Sequence, residues 1–303
     1  MKYLSLFLSL LFLSLSACTT DTPAEQPTET PRATSVHAPL DPFADYWYQG
    51  KAELSSFDLQ QSRYGELHEG EAVLIFVTED FSKSKQVKLD YPSRAGKDKV
   101  GIMKLNFTRK FNTGIYPYST MQSIFTPTDL KQYPHSLKVS TSSQEWCGHT
   151  YMQLNSEKDQ WRVAHNSYFE AEGDRDFKLD KVMLEDEIWN RIRINPSSLP
   201  TGEIKAIPST LFTRLKHTPF RVMNAQAKMG NAGKVGLYEI YYPELKRTLR
   251  IQFQKSFPHE ILGWEEEDGR LTTKATRKQS MQLDYWNKNR SSDAPLRAEL
   301  GLD

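Results

Sequence analysis

The residues of this chain that could do chemistry in closest company are Glu145-Trp146-Cys147-Gly148-His149-Thr150. If the segment is a strand, Glu145, Cys147 and His149 share one face, because alternate side chains point the same way. Acid, thiol and imidazole together are the parts of a cysteine nucleophile and its base, so a hydrolase-type enzyme using Cys147 with His149 is one reading. Same-face neighbours on one strand stand about 6.5–7 Å apart, however, and a nucleophile and its base need about 3 Å. A further His or acid would have to come from another strand. Cys147 and His149 also lack a visible third ligand, so no metal is expected. The commoner fate of a Cys in a β-rich chain is burial in the core, and that is the expectation for Cys147.

Two other groups invite a function. Tyr116, Tyr118, Trp146 and Trp161 could form an aromatic platform for a sugar or a lipid, although aromatic residues also fill β cores. The acidic run Glu265-Glu266-Glu267-Asp268 lacks the spacing of a calcium loop and reads as a solvated turn. Gly-rich phosphate loops, Gly-x-Ser-x-Gly and His-Glu-x-x-His are absent, and no cofactor is expected.

The N-terminus says where such chemistry would sit. Lys2 precedes an apolar run from Tyr3 to Leu15, and small residues follow: the layout of a secretory signal. The run is shorter than the 20 or so residues of a membrane span. Leu15-Ser16-Ala17-Cys18 resembles a bacterial lipobox, which implies cleavage before Cys18 and acylation of its thiol. The 303 residues less the first 17 leave 286, and losing Lys2 takes the formal charge from +1 to zero. That balance gives no nucleic-acid footprint. With Cys18 acylated, Cys147 has no partner for an internal disulfide.

The elements follow in order. Residues 18–44 are rich in Thr, Pro and Glu, which predicts a disordered tether. From residue 45 to 303 short alternating runs recur every 8–12 residues, the pattern of a mainly β, antiparallel, strongly curved sheet or open barrel. Ala52 and Leu54 lie in one phase and Phe57 and Leu59 in the other, which predicts a bulge or a bend near Ser56. Asn155–Gln160 reads as a hairpin loop. Apolar spacing near 3.6 residues predicts one packed helix over about 179–193, with Glu185, Glu187, Arg191 and Arg193 on its opposite face. A short C-terminal helix is expected within 293–302. The Pro-rich stretch 195–208 could divide two sub-domains, but a single domain is the simpler reading.

The segments 63–82, 110–119, 144–155 and 184–193 resemble a family of uncharacterised lipoproteins from Gram-negative bacteria, over most of residues 45–290. The resemblance implies an envelope location and no particular activity. Some members carry the label "septum formation inhibitor Maf". Maf proteins are α/β nucleotide pyrophosphatases with a Ser-x-Arg-Arg loop. Here Ser93-Arg94 precedes Ala95-Gly96 and no βαβ alternation exists, so the label is unsupported.

The expectation is therefore an outer-membrane lipoprotein held through Cys18, facing either the periplasm or the exterior. Its β body would bind an apolar or amphiphilic ligand, or a lipid or protein partner of the envelope, without catalysis. A purely structural role is the plainer alternative. Metabolic labelling with palmitate should mark the wild-type chain and spare Cys18→Ala; equal labelling of both would overturn the anchor.

Overall fold

The computed structural model describes residues 41–302. The expected signal peptide, Cys18 and the tether up to residue 40 lie outside the described residues. Regular structure is present inside residues 41–44, which the composition assigns to the tether. The Asp41 side chain accepts a hydrogen bond from Phe43 N (3.0 Å) and Pro42 fills the first turn, so helix α1 (Pro42–Trp47) starts within the expected tether.

Sixteen strands follow. They are β1 (Ala52–Arg63), β2 (Glu66–Ser82), β3 (Val87–Lys88), β4 (Lys99–Thr113), β5 (Tyr116–Pro127), β6 (Lys138–Glu145), β7 (Gly148–Ser156) and β8 (Gln160–Ser167). Then come β9 (Arg175–Asp180), β10 (Met183–Leu184), β11 (Gly202–Ile207), β12 (Met223–Ala232), β13 (Val235–Tyr242), β14 (Arg247–Gln254), β15 (Ile261–Asp268) and β16 (Leu271–Leu283). All belong to one sheet, ordered β10-β11-β12-β13-β14-β15-β16-β1-β2-β4-β5-β6-β7-β8-β9, with β3 beside β2. Neighbours are antiparallel except for the two-residue parallel contact of β10 with β11. Residues 195–208 do not divide the body, since the strands before and after them meet in the β1–β16 ladder.

The connection at the sheet's two ends dictates its curvature. Strands β9 and β10 are the terminal strands, yet only Lys181 and Val182 separate Asp180 from Met183. Three Cα–Cα steps of 3.8 Å hold those two residues within about 11 Å. A sheet whose ends must meet has to curl through a full turn. The body is thus barrel-like, and it remains open along the seam because β9 and β10 share no ladder. The bulge expected near Ser56 is present, as a register shift between Ser56 and Phe57 against β16.

Inside the curl the chain places a charged plug. Past Leu184 it leaves the sheet as a 3-10 turn (Glu185–Glu187) and helix α2 (Ile188–Ile194), every residue buried as far as Arg193. The packed helix is shorter than the 3.6-residue spacing suggested, because residues 179–180 complete β9. Its apolar side meets the barrel wall through Trp189, whose ring stands 5.1 Å from Phe107 and 5.3 Å from Trp264. The opposite face does not reach water. Arg193 donates both terminal nitrogens to Glu53 of β1 and its Nε to Pro258 O (3.0 Å). Glu185 receives both terminal nitrogens of Arg247 (2.6 and 2.7 Å), and Glu187 accepts from Ser136 N (2.7 Å). Asn190 donates to the Met103 and Ile124 carbonyls (3.1 and 3.2 Å).

The acidic run 265–268 is likewise no turn. It lies in β15, and Glu266 is a buried partner of Arg109 (2.7 Å) and Arg247 (3.2 Å). Its neighbours follow the alternation of the strand: Glu267 points outward to Arg250 (2.8 Å), which also holds Glu239 (2.7 Å). This part of the wall is water-facing, unlike the apolar band of a membrane barrel.

Two helices finish the body. Ser209 caps α3 (Thr210–Lys216), whose Leu211 and Leu215 pack on Phe111 and Tyr118 across one end of the barrel. The expected C-terminal helix is α4 (Pro295–Glu299), followed by Leu300 and Leu302 packed on Leu54 and Val77.

Burial alone would push the Glu53 carboxyl up, but Arg193 and the Tyr46 hydroxyl (2.6 Å) hold it below the usual range, so the pair is ionic. Removing one partner strands a buried charge, at a cost of about 3–5 kcal/mol. Arg193→Met should lower stability by about that amount in urea unfolding. The double variant Glu53→Gln/Arg193→Met should recover much of the loss.

Candidate functional site: the pocket at the open seam

Beside the unpaired edge of β9 lies a pocket of about 580 Å³, bounded across the seam by the segment from α3 to Phe220. That volume is within the range of small-molecule sites, about 300–1,000 Å³. Period-two alternation builds its apolar floor: Phe177 and Leu179 of β9 and Met152 of β7 face inward, and Phe220 closes the far side. Its polar edge comes from three separate segments. His165 is on β8, Glu172 on the β8–β9 loop, and Arg214 and His217 at the end of α3. His217 holds a left-handed conformation (φ 52°) that ends the helix and turns its ring toward Glu172.

Glu172 is the hub of that edge. One carboxylate oxygen is 2.6 Å from His217 Nδ1; the other accepts the Ser167 hydroxyl at 2.6 Å and lies 3.8 Å from His165 Nε2. Arg214 stands 3.8 Å away, spreads its guanidinium over the Phe169 ring, and donates Nε to Thr150 (2.9 Å). Burial works to raise the Glu172 pKa, but the Ser167 and His217 hydrogen bonds and the Arg214 charge outweigh it and keep the carboxyl ionised below its ordinary value. Burial also pushes the His165 imidazole down, which the nearby Glu172 only partly offsets, so the ring is held neutral near pH 7. Ser167 gives its proton to a carboxylate rather than to an imidazole. The nucleophile–base–orienter chain of a hydrolase is therefore not assembled around Ser167.

The structure separates the residues singled out in the sequence. Trp146 and Cys147 form the two-residue turn between β6 and β7, so the segment is not one continuous strand. Cys147 is exposed, which corrects the expectation of a core thiol: a hairpin tip has no second layer to cover it. The Glu145 carboxylate accepts from Cys147 N, and its hydrogen bond and charge push the thiol up, away from the thiolate that a nucleophile needs. His149 is exposed on β7.

Of the four aromatic candidates, Tyr116, Tyr118 and Trp146 gather at one end of the barrel. The Tyr116 ring lies 5.8 Å from Tyr118 and 6.4 Å from Trp146. Trp161 does not join them. It is fully buried, with its indole N–H donating to Val182 O (3.0 Å) at the link between β9 and β10. Among the described residues no group of three or more His, Cys, Asp or Glu is placed to hold a metal ion.

The seam residues carried one signal in the sequence: His165 follows Trp161 and Val163 in the inward phase of β8. Glu172 and His217 carried none, being 45 residues apart and joined only by the curl.

No family model and no curated protein matches the chain. Among solved structures it is similar to the crystal structure of a β-barrel-like protein of the domain of unknown function DUF1849 from Brucella abortus. Identity is 7%, coverage is 76% of this chain and 96% of that one, and the TM-score is 0.46. A likeness of that degree says nothing about function.

An exposed thiol should react in the folded protein. Native Cys147 is expected to alkylate within a few-fold of the rate in denaturant, and Glu145→Gln should speed the native reaction near pH 7.5. Labelling that waits for unfolding would contradict the exposed position.

Proposed function

We propose that this protein is a lipoprotein of the cell envelope, anchored through Cys18, whose barrel-like body binds a small amphiphile in the seam pocket. The observation that carries this reading is the pairing of an apolar floor with one polar edge in a pocket of ligand size. The apolar portion of the ligand lies against Met152, Phe177, Leu179 and Phe220. Its polar head meets Arg214, Arg175 and the Glu172–His217 pair, where charges of both signs are within reach. Binding rather than catalysis is favoured because the polar groups satisfy one another and none is set up as a nucleophile.

The anchor concentrates the body at a membrane, the natural source of an amphiphile. Native mass spectrometry of protein purified from membranes should find a co-purifying small amphiphile. Phe177→Asp and Phe220→Asp place a charge on the apolar floor and should weaken binding of that molecule at least tenfold, with the melting temperature little changed. A protein that carries nothing, and takes up no fatty acid or phospholipid on titration, would leave the structural role in its place.

A further inference from the structure

We infer that the end of the barrel formed by four adjacent hairpin tips is a docking surface for a phospholipid bilayer; this deepens the reading of an envelope lipoprotein and rests on its anchor. The turns β1–β2, β4–β5, β6–β7 and β8–β9 lie at one end of the barrel, because each joins an outgoing strand to a returning one and the strands are consecutive in the sheet. Each tip carries one large apolar side chain held out in solvent. Tyr64 is 61% exposed, Ile115 84%, Trp146 68% and Tyr168 70%.

Ring contacts connect the tips of Tyr64 and Trp146, and Tyr168 lies against the start of β7. The Tyr64 hydroxyl bonds that of Tyr118 (2.7 Å), Tyr118 leads through Tyr116 to Trp146, and the Tyr168 ring covers Gly148. A Cβ at Gly148 would fall 2.6 Å from that ring, so the glycine makes room for it. From Tyr168 the contacts run on to Phe169 (5.6 Å) and to His217 (5.2 Å) at the pocket mouth. Tyr64 keeps this place in a left-handed conformation (φ 54°), unfavourable for a non-glycine residue.

A bilayer fits this rim better than a protein partner does. Four separate convex tips offer a protein little complementary surface, whereas each can enter the headgroup boundary by itself. Tyr and Trp, apolar with one polar end, are the side chains that settle there. The length of the preceding chain brings that surface into reach. Twenty-two residues, Thr19–Leu40, separate Cys18 from Asp41, where the body begins at the end opposite the tips. Extended, they span about 75 Å, more than the roughly 56 Å of the 17-residue strand β2. An anchored body can therefore lay its tips on the same membrane, at an effective concentration of the order of millimolar. Weak affinity at the rim is then sufficient, and the pocket mouth comes to rest beside the lipid.

The test uses the mature chain, residues 18–303, as Cys18→Ser, so that docking is read without the anchor. Its single remaining thiol, Cys147, takes an environment-sensitive nitrobenzoxadiazole label at the β6–β7 tip. Vesicles of phosphatidylcholine and phosphatidylglycerol at 3:1 should raise the label's emission at least threefold and shift it to the blue. The triple variant Ile115→Ser/Trp146→Ser/Tyr168→Ser should lose that response while melting at the same temperature and retaining ligand in the pocket. A label at Trp286→Cys, at the opposite end in a Cys147→Ser background, should stay unchanged. No response at millimolar lipid, or an equal response from the triple variant, overturns docking. A response that grows with protein concentration in the absence of vesicles overturns it in favour of a second copy of the chain. Pocket binding measured on the same samples keeps failure at the rim distinct from failure of the ligand reading.

Discussion

Arg193 and Arg247 are held without exposed surface inside a curled sheet, each clamped by a carboxylate where the inner segment meets the wall, and the architecture turns on these contacts. Side chains alone fill a barrel of about eight strands, while sixteen or more ordinarily leave a water-filled channel. A curled body with this many strands needs something inside. The segment Glu185–Arg193 supplies it, entering directly after β10. A peptide segment brings polar groups with it, and each one left without a partner would cost about 1–3 kcal/mol. The wall therefore answers it: Glu53 from β1, the Met103 carbonyl from β4, Gln122 from β5 and Arg247 from β14, the last held in turn by Glu266 of β15.

The same event creates the pocket. Strand β10 stays in the sheet for two residues before the chain turns inward, so the edge of β9 is left without a neighbour. An open edge beside an apolar interior must be covered or occupied. Here α3 and the loop after it cover part of it, through Glu172, His217 and Arg214, and the remainder is the pocket. The hairpin tips that carry the aromatic rim stand at this same end. Pocket mouth and rim are thus neighbours because one set of strand reversals makes both.

Much of the framework was legible in the chain itself. Period-two runs marked the strands, the phase slip between Leu54 and Phe57 marked the bulge that helps the sheet bend, and residues 155–160 marked a hairpin loop. These features are fixed by neighbours a few residues away, and local sequence carries that information.

What the sequence left undecided is what each face meets. The run 265–268 looks hydrated by composition, yet Glu266 is buried because β15 turns it toward two arginines from β4 and β14. Trp161 and Trp146 are alike as residue types, but one closes the barrel's core under Val182 and the other crowns an exposed tip. Cys147 suggested a core thiol by its type and became a tip residue because the strand reverses at Trp146. Glu172 and His217 became partners only when the sheet's ends were brought together. Alternation along a strand states that one side differs from the other. Whether that side faces water, a charged plug or an open seam is set by the closure of the whole sheet, and closure is a property of contacts distant in sequence.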